Sequence, residues 1–135
     1  MKTLRSIAAL FAFLLLMVLG TSPVQAQSDI SGNVRDMIRS GASKELAKFF
    51  NTTVEVGLDG NKSNYSQTQA EFVRKDFFAK NQPASFDYIH QGSSREGLKY
   101  VIGKLNSANG SYRVYILFRQ AKGAYVIDTI DFTKE

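Results

Sequence analysis

The sequence predicts a single α+β domain in which N-terminal helices pack on a curved, antiparallel four-strand sheet. A chain of 135 residues has the length of one domain. Its first half carries apolar residues at helical spacing, and its second half contains four strand-like runs separated by turn residues. Consecutive antiparallel strands after a group of helices are typical of an α+β fold and unlike a parallel α/β sheet.

Residues 1–26 have the three regions of an export signal. Two basic residues stand near the start, residues 7–19 are an unbroken apolar run, and Val24–Ala26 is a small-residue cleavage pattern. The alternative is a retained membrane anchor, but a membrane span needs about 20 apolar residues. We therefore expect a signal peptide over 1–26 and one domain over 27–135. The protein would be periplasmic or secreted, with no membrane span after cleavage.

Composition excludes several classes of site. Loss of Lys2 and Arg5 with the signal leaves 15 basic against 12 acidic residues, a net charge of +3. No run of five like charges occurs, so we expect no nucleic-acid partner. The absence of cysteine excludes disulfides, thiolate metal sites and a cysteine nucleophile, and one histidine cannot build a histidine-rich site. We expect no metal and no cofactor.

Two helices are predicted at the start of the domain. Ser28 or Asp29 can cap the first, and Gly41 can end it in a left-handed conformation. A second, shorter segment opens at Ser43. Apolar residues share one face of each segment: Ile30, Val34, Met37 and Ile38 in the first, and Leu46, Phe49 and Phe50 in the second. The two segments therefore predict a helical hairpin with one apolar side.

A β-hairpin and a longer helix follow. The alternating run Thr52–Leu58 reads as a strand, and the Asp59-Gly60-Asn61 turn leads to a return strand near Lys62–Tyr65. Ser66, followed three residues later by Gln69, has the form of a capping box. This box predicts the start of a helix that runs to about residue 80.

One face of this predicted helix carries Ala70, Val73 and Phe77, with Phe78 beside them. Phe72 falls outside the stripe. We expect Phe72 to pack under the helical hairpin, because large apolar side chains are mostly buried; the alternative is an exposed partner contact.

The second half predicts an antiparallel meander. Its four runs are Phe86–Gln91, Leu98–Leu105, Tyr112–Arg119 and Ala124–Phe132. In the third run the apolar residues that alternate toward the core are Tyr112, Val114, Ile116 and Phe118. In the last run the apolar positions break strict alternation, which predicts a β-bulge near Asp128.

The order of these elements resembles the nuclear-transport-factor-2-like, cystatin-like superfamily. More narrowly, residues 29–134 resemble a family of short exported Bacteroidetes proteins of unknown function. The motifs that carry this likeness are Asp76-Phe77-Phe78, Ile89-His90-Gln91-Gly92-Ser93-Ser94, Tyr100-Val101-Ile102-Gly103 and Gly110-Ser111-Tyr112-Arg113-Val114-Tyr115. The resemblance implies a cone-like fold with a pocket between the curved sheet and the helices. It implies no activity, since the family has none established.

Five residues are candidates for ligand binding: His90, Tyr88, Tyr100, Arg113 and Tyr115. His90 alternates with Tyr88 and is expected to face the pocket, where it could exchange protons near neutral pH. The alternative is a structural histidine bonded to the loop at residues 92–97. Tyr115 and Arg113 share the wetter side of the third run, and such residues anchor interfaces. The alternative for them is an ordinary solvated sheet face.

We expect a non-enzymatic exported module that binds a small-molecule ligand or an envelope protein through the cone pocket or the open sheet face. Pairing of two such faces would give a homodimer, and a purely structural domain is a further alternative. An isomerase or hydro-lyase would instead need a carboxylate and a proton donor in an apolar pocket. His90, Asp87, Asp128 and Asp131 are candidates for it, but spacing alone fixes no acid–donor pair.

Overall fold

The computed structural model describes residues 30–94 and 96–135, so the predicted signal peptide lies outside the described residues. The elements follow the predicted order of helical hairpin, β-hairpin, helix and meander. Their bounds are α1 (Ile30–Ser40), α2 (Ser43–Ala47), β1 (Phe50–Leu58), β2 (Asn61–Ser66), α3 (Gln67–Lys80), β3 (Pro83–Ser93), β4 (Lys99–Ser107), β5 (Gly110–Ala121) and β6 (Ala124–Lys134). The α+β class is confirmed.

The sheet is larger than predicted. Strands β3 to β6 pair antiparallel in sequence, which confirms the meander. The four-strand count is wrong, because β1 pairs parallel to β6 and brings β2 with it, giving a six-strand mixed sheet in the order β2-β1-β6-β5-β4-β3. Val54 and Val56 of β1 are buried in this position. Alternation identifies a strand but does not identify its neighbour, so the sequence pattern missed this pairing.

The local signals at the end of α1 and at the start of α3 are confirmed, whereas the predicted caps of α1, Ser28 or Asp29, lie outside the described residues. Gly41 has a φ of 70°, and the next residue, Ala42, donates its N–H to the Met37 carbonyl at 2.9 Å. At the start of α3, the Ser66 side chain accepts from the Gln69 N–H at 3.2 Å. The Gln69 side chain in turn accepts from the Ser66 N–H at 3.0 Å, completing the capping box.

The core lies between the helices and one face of the sheet. The four β5 residues predicted to face it are buried: Tyr112, Val114, Ile116 and Phe118. Phe77 of α3 places its ring 4.5 Å from that of Phe132 on β6. The predicted bulge is also present, because Leu117 pairs with Thr129 while Phe118 pairs with Ile127. Asp128 is therefore the extra residue of β6.

The predicted apolar stripe of α3 is partly wrong. Phe72 is 63% exposed and does not pack under the helical hairpin. Ala70, Arg74 and Phe77 are buried, at the i, i+4, i+7 spacing of one helix face, and Val73 is only half-buried. With that face turned to the sheet, Phe72 projects away from it. Arg74 therefore occupies a core position, although a hydropathy pattern predicts that a charged residue is exposed to solvent.

Candidate functional site

A cleft of about 940 Å³ opens where the start of α1 faces the ends of β3 to β6. Its apolar wall is formed by Phe49, between α2 and β1, and by the buried residues Val101 and Phe118. Its polar wall includes Gln91, Lys99, Gln120 and Tyr125. This mixture of apolar surface with a few polar groups is typical of small-molecule sites.

Strand register explains why Lys99 reaches this cleft. Lys99 pairs with Phe118 across β4 and β5, and directly opposed residues lie on the same side of a sheet. Since Phe118 faces the core, Lys99 lies on the inner side at the end of the strand. Its ammonium nitrogen stands 4.6 Å from the centroid of the Tyr125 ring. This distance is within the range of a cation–π interaction.

Tyr88 supports a wall of the cleft from the inner side. It pairs with Gly103, and a side chain at Gly103 would overlap the Phe86 ring, which packs in the core. The Tyr88 hydroxyl donates to the Ser31 carbonyl at 2.6 Å, which ties β3 to the start of α1. Ser31 itself lines the cleft. Tyr88 therefore faces inward, as alternation predicts.

The expectation that His90 shares this side is wrong. The register shifts between Tyr88, which pairs with Gly103, and His90, which pairs with Ile102. Ile89 is thus an extra residue, and it turns His90 to the outer face. There the His90 Nε2 lies 2.8 Å from the Tyr100 hydroxyl, which takes the place of the expected bond to the loop. Whether His90 binds a ligand stays a prediction.

His90, Tyr100 and Tyr115 form an aromatic row on the outer face of the sheet. Ring centroids are 5.5 Å apart between His90 and Tyr100, and 6.2 Å apart between Tyr100 and Tyr115. The Tyr100 ring crosses the neighbouring strand at Gly92, where any side chain would overlap it. Tyr100 also lies at the rim of the cleft, so it connects the aromatic row to that site.

Arg113 lies beside the aromatic row. It is exposed and pairs with Lys104 across β4 and β5, so two cations are directly opposed. Like charges in this position are unfavourable, and Lys104 leans toward Glu135 at 3.6 Å. The structure therefore brings four predicted site residues to the outer face and leaves Tyr88 on the inner one.

The tyrosines of this face give a pH-dependent prediction. Partial burial raises the pKa of Tyr115 above 10.0, and the nearby Tyr100 raises it further. We expect an absorbance titration at 295 nm to show a late-ionising phenol that is lost in Tyr115→Phe. Tyr125→Phe is the control and should keep this late phase. A Tyr115→Phe curve that differs from wild type only near pH 10 would contradict the assignment.

A buried cation is the feature that sequence reasoning missed. Arg74 is fully buried beside a second cleft of about 410 Å³, with its guanidinium carbon 4.4 Å from the Phe132 ring centroid and 5.2 Å from that of Phe77. Within the described part of the chain, its three nitrogens have no hydrogen-bond partner. Burial lowers its pKa to about 10, and Tyr65 and Asp131 act in the opposite direction. Arg74 stands between Ala70 and Phe77 at helical spacing, and this spacing is the sequence signal that places Arg74 on the buried face of α3.

The aspartates considered for catalysis lie apart from the large cleft. Each of the three aspartates faces a cation. Asp87 accepts a hydrogen bond from Arg39 at 2.7 Å. Asp128 lies 3.4 Å from Arg119, and Asp131 lies 3.8 Å from Lys62. The residues that the structure describes contain no group of three His, Asp or Glu placed to hold a metal ion. None of the helices in the described ranges has the length and apolar character that a membrane crossing requires.

Comparison with known proteins supports the fold and the family. The sequence model described as "Domain of unknown function (DUF4783)" matches residues 31–133. A DUF4783 family protein from Bacteroides uniformis is 32% identical, with 76% of this chain and 94% of that chain covered and a TM-score of 0.72. A DUF4783 family protein from Bacteroides ovatus is 30% identical, with 76% of this chain and 92% of that chain covered and a TM-score of 0.73.

More distant structures share the fold alone. A protein named "Rd1NTF2_04 with long sheet" is 12% identical, with 76% of this chain and 94% of that chain covered and a TM-score of 0.61. It supports the predicted nuclear-transport-factor-2-like fold. Among curated proteins, none matches this chain. The match over residues 31–133 and the Bacteroides relatives show that the chain belongs to the DUF4783 family, a domain of unknown function.

Proposed function

We propose that this domain is a non-enzymatic binding module of an exported bacterial protein, and that it takes up a small ligand in the large cleft. The observation that carries the proposal is the cleft itself, about 940 Å³ with apolar surface from Phe49, Val101 and Phe118 beside polar side chains. That volume lies within the range of sites that enclose small molecules. The signal-like pattern of residues 1–26 supports export, and the Bacteroides relatives support a Bacteroidetes origin.

The placement of titratable groups favours binding over catalysis. An isomerase or hydro-lyase needs a carboxylate base and a donor that meet the substrate in an apolar pocket. Asp87, Asp128 and Asp131 each lie beside a cation outside the large cleft, and His90 bonds to Tyr100 on the outer face. The enzyme alternative therefore gains no support from the geometry.

The outer face supports a second candidate, contact with an envelope protein or with another copy of the chain. The aromatic row and Arg113 are side chains of the kind that anchor protein interfaces. Arg113 and Tyr115 of this surface do not line the cleft, so substitutions there test this candidate independently of uptake by the cleft.

A neutral dye tests uptake by the cleft. N-phenyl-1-naphthylamine is apolar and uncharged, and its fluorescence rises when it leaves water. Gln120 lines the cleft, is exposed and pairs with Tyr125 on the inner side of the sheet, so Gln120→Trp should fill the space without disturbing the core. Ala108 is exposed at the turn between β4 and β5, at the other end of the sheet, and Ala108→Trp is the matched control.

We expect the dye to bind wild type and Ala108→Trp equally, and Gln120→Trp at least tenfold more weakly. Circular dichroism should show the same fold for all three proteins. Equal binding by Gln120→Trp, or no binding by wild type, would overturn the proposed cleft function. The chain contains no tryptophan, so the indole of each variant also reports its own environment.

A further inference from the structure

We infer that the ligand of the large cleft is an amphiphilic organic anion, and that Lys99 binds its charged group; this inference rests on the proposed function. Three features of the cleft support this inference. They are the position of the Lys99 ammonium, the charge of the surrounding surface and the apolar area next to it.

The Lys99 ammonium is held at the inner side of the sheet. Its strand partner Phe118 is buried, and its nitrogen lies over the Tyr125 ring at 4.6 Å. Contact with an aromatic face restrains a long, flexible side chain while leaving its hydrogen-bond donors available. Lys99 is exposed and Tyr125 is half-buried, so an incoming molecule can reach the ammonium.

The surface of the cleft around Lys99 carries a net positive charge. Among the described residues that line the cleft, Lys99 carries the only formal charge. The ion pairs found in the described ranges use other cations, including Lys104 of the same strand, which lies 3.6 Å from Glu135. Lys99 is thus a cation in a cleft whose other described lining groups are neutral. An anion is the ligand charge that such a surface favours.

The neighbouring surface predicts the rest of the molecule. Phe49, Val101 and Phe118 present apolar area, and Gln91 and Gln120 present amide groups that can donate and accept hydrogen bonds. A molecule with an apolar body would bury that body against the three apolar side chains. Its anionic group would then meet Lys99 at the start of β4.

Two dyes with the same ring system separate charge from apolar binding. 8-Anilinonaphthalene-1-sulfonate has the rings of N-phenyl-1-naphthylamine plus one sulfonate. The test variant is Lys99→Met, which keeps the length and apolar character of the side chain. Lys104→Met is the matched control, because it removes the same charge from the outer side of the same strand.

We expect Lys99→Met to weaken binding of the sulfonate dye about five- to tenfold, as for loss of a charge-assisted contact. Binding of the neutral dye should stay within about twofold, since the apolar contacts are unchanged. Lys104→Met should leave the affinities for both dyes within about twofold. Circular dichroism of each variant should match wild type.

The outcomes separate this inference from the proposed function. If Lys99→Met weakens both dyes equally, or leaves the sulfonate dye unchanged, the anion inference is overturned. Cleft binding would still stand if the neutral dye is lost in Gln120→Trp. If wild type binds neither dye, the proposed function fails first and the inference fails with it.

Discussion

Replacing Phe132 by alanine is expected to lower the free energy of unfolding by about 3–5 kcal/mol. Phe132 is fully buried on β6, and its ring meets Phe77 at 4.5 Å and Phe78 at 6.3 Å. The guanidinium of Arg74 lies over the same ring. Removing the ring therefore leaves a cavity at the point where α3 meets the sheet. Domains of this size are stable by only about 5–15 kcal/mol, so a large part of the stability would be lost.

Phe72→Ala is the matched control for Phe132→Ala. The same atoms are deleted, but Phe72 is exposed, so we expect a change within about 0.5 kcal/mol. Urea unfolding followed by circular dichroism measures both variants. Comparable losses for Phe72 and Phe132 would contradict the orientation of α3, because they would mean that Phe72 is also in the core.

Replacing Arg74 by methionine is expected to raise the free energy of unfolding by about 1–3 kcal/mol. Its guanidinium is buried between aromatic rings, and in the described part of the chain it has no hydrogen-bond partner. Burial of such a charge costs several kcal/mol, and the cation–π contacts together with the attraction to Asp131 offset only part of that cost. Methionine fills a similar volume without a charge. Arg74→Ala should be about 2 kcal/mol less stable than Arg74→Met, because it leaves a cavity.

The same residue predicts a pH dependence with a definite sign. Folding lowers the Arg74 pKa from 12.5 to about 10. Between these two values the unfolded chain binds more protons at this site than the folded protein, so the Arg74 contribution to stability becomes less unfavourable as the pH rises. Urea unfolding at pH 7, 9 and 10.5 should show the advantage of Arg74→Met shrinking at the highest pH. A methionine variant less stable than wild type at pH 7 would show that the guanidinium is satisfied in the folded protein.

Local features of the fold could be predicted because their causes lie within a few residues of one another. The Ser66–Gln69 capping box and the Gly41 helix end depend on adjacent backbone groups. The side of β5 that faces the core follows from the alternation of its apolar residues. The bulge at Asp128 follows from the interruption of that alternation in β6.

Features that depend on distant partners could not be predicted. The pairing of β1 with β6 joins segments from opposite ends of the domain, and neither strand alone specifies it. One extra residue, Ile89, moved His90 to the opposite face from Tyr88, because side-chain alternation has a period of two. Lys99 and Tyr125 meet only after β4, β5 and β6 align, so their contact leaves no signal in the sequence.

The parallel pairing of β1 with β6 has a consequence for the order of folding. Phe50 pairs with Ile127, so the contact joins residues far apart along the chain. A nascent polypeptide leaves the ribosome N-terminus first, and contacts of high sequence separation form late. The first hairpin can therefore assemble early, but Val54 and Val56 gain their final neighbours only after β6 has emerged. Completion of the domain must wait until β6 is available to pair with β1.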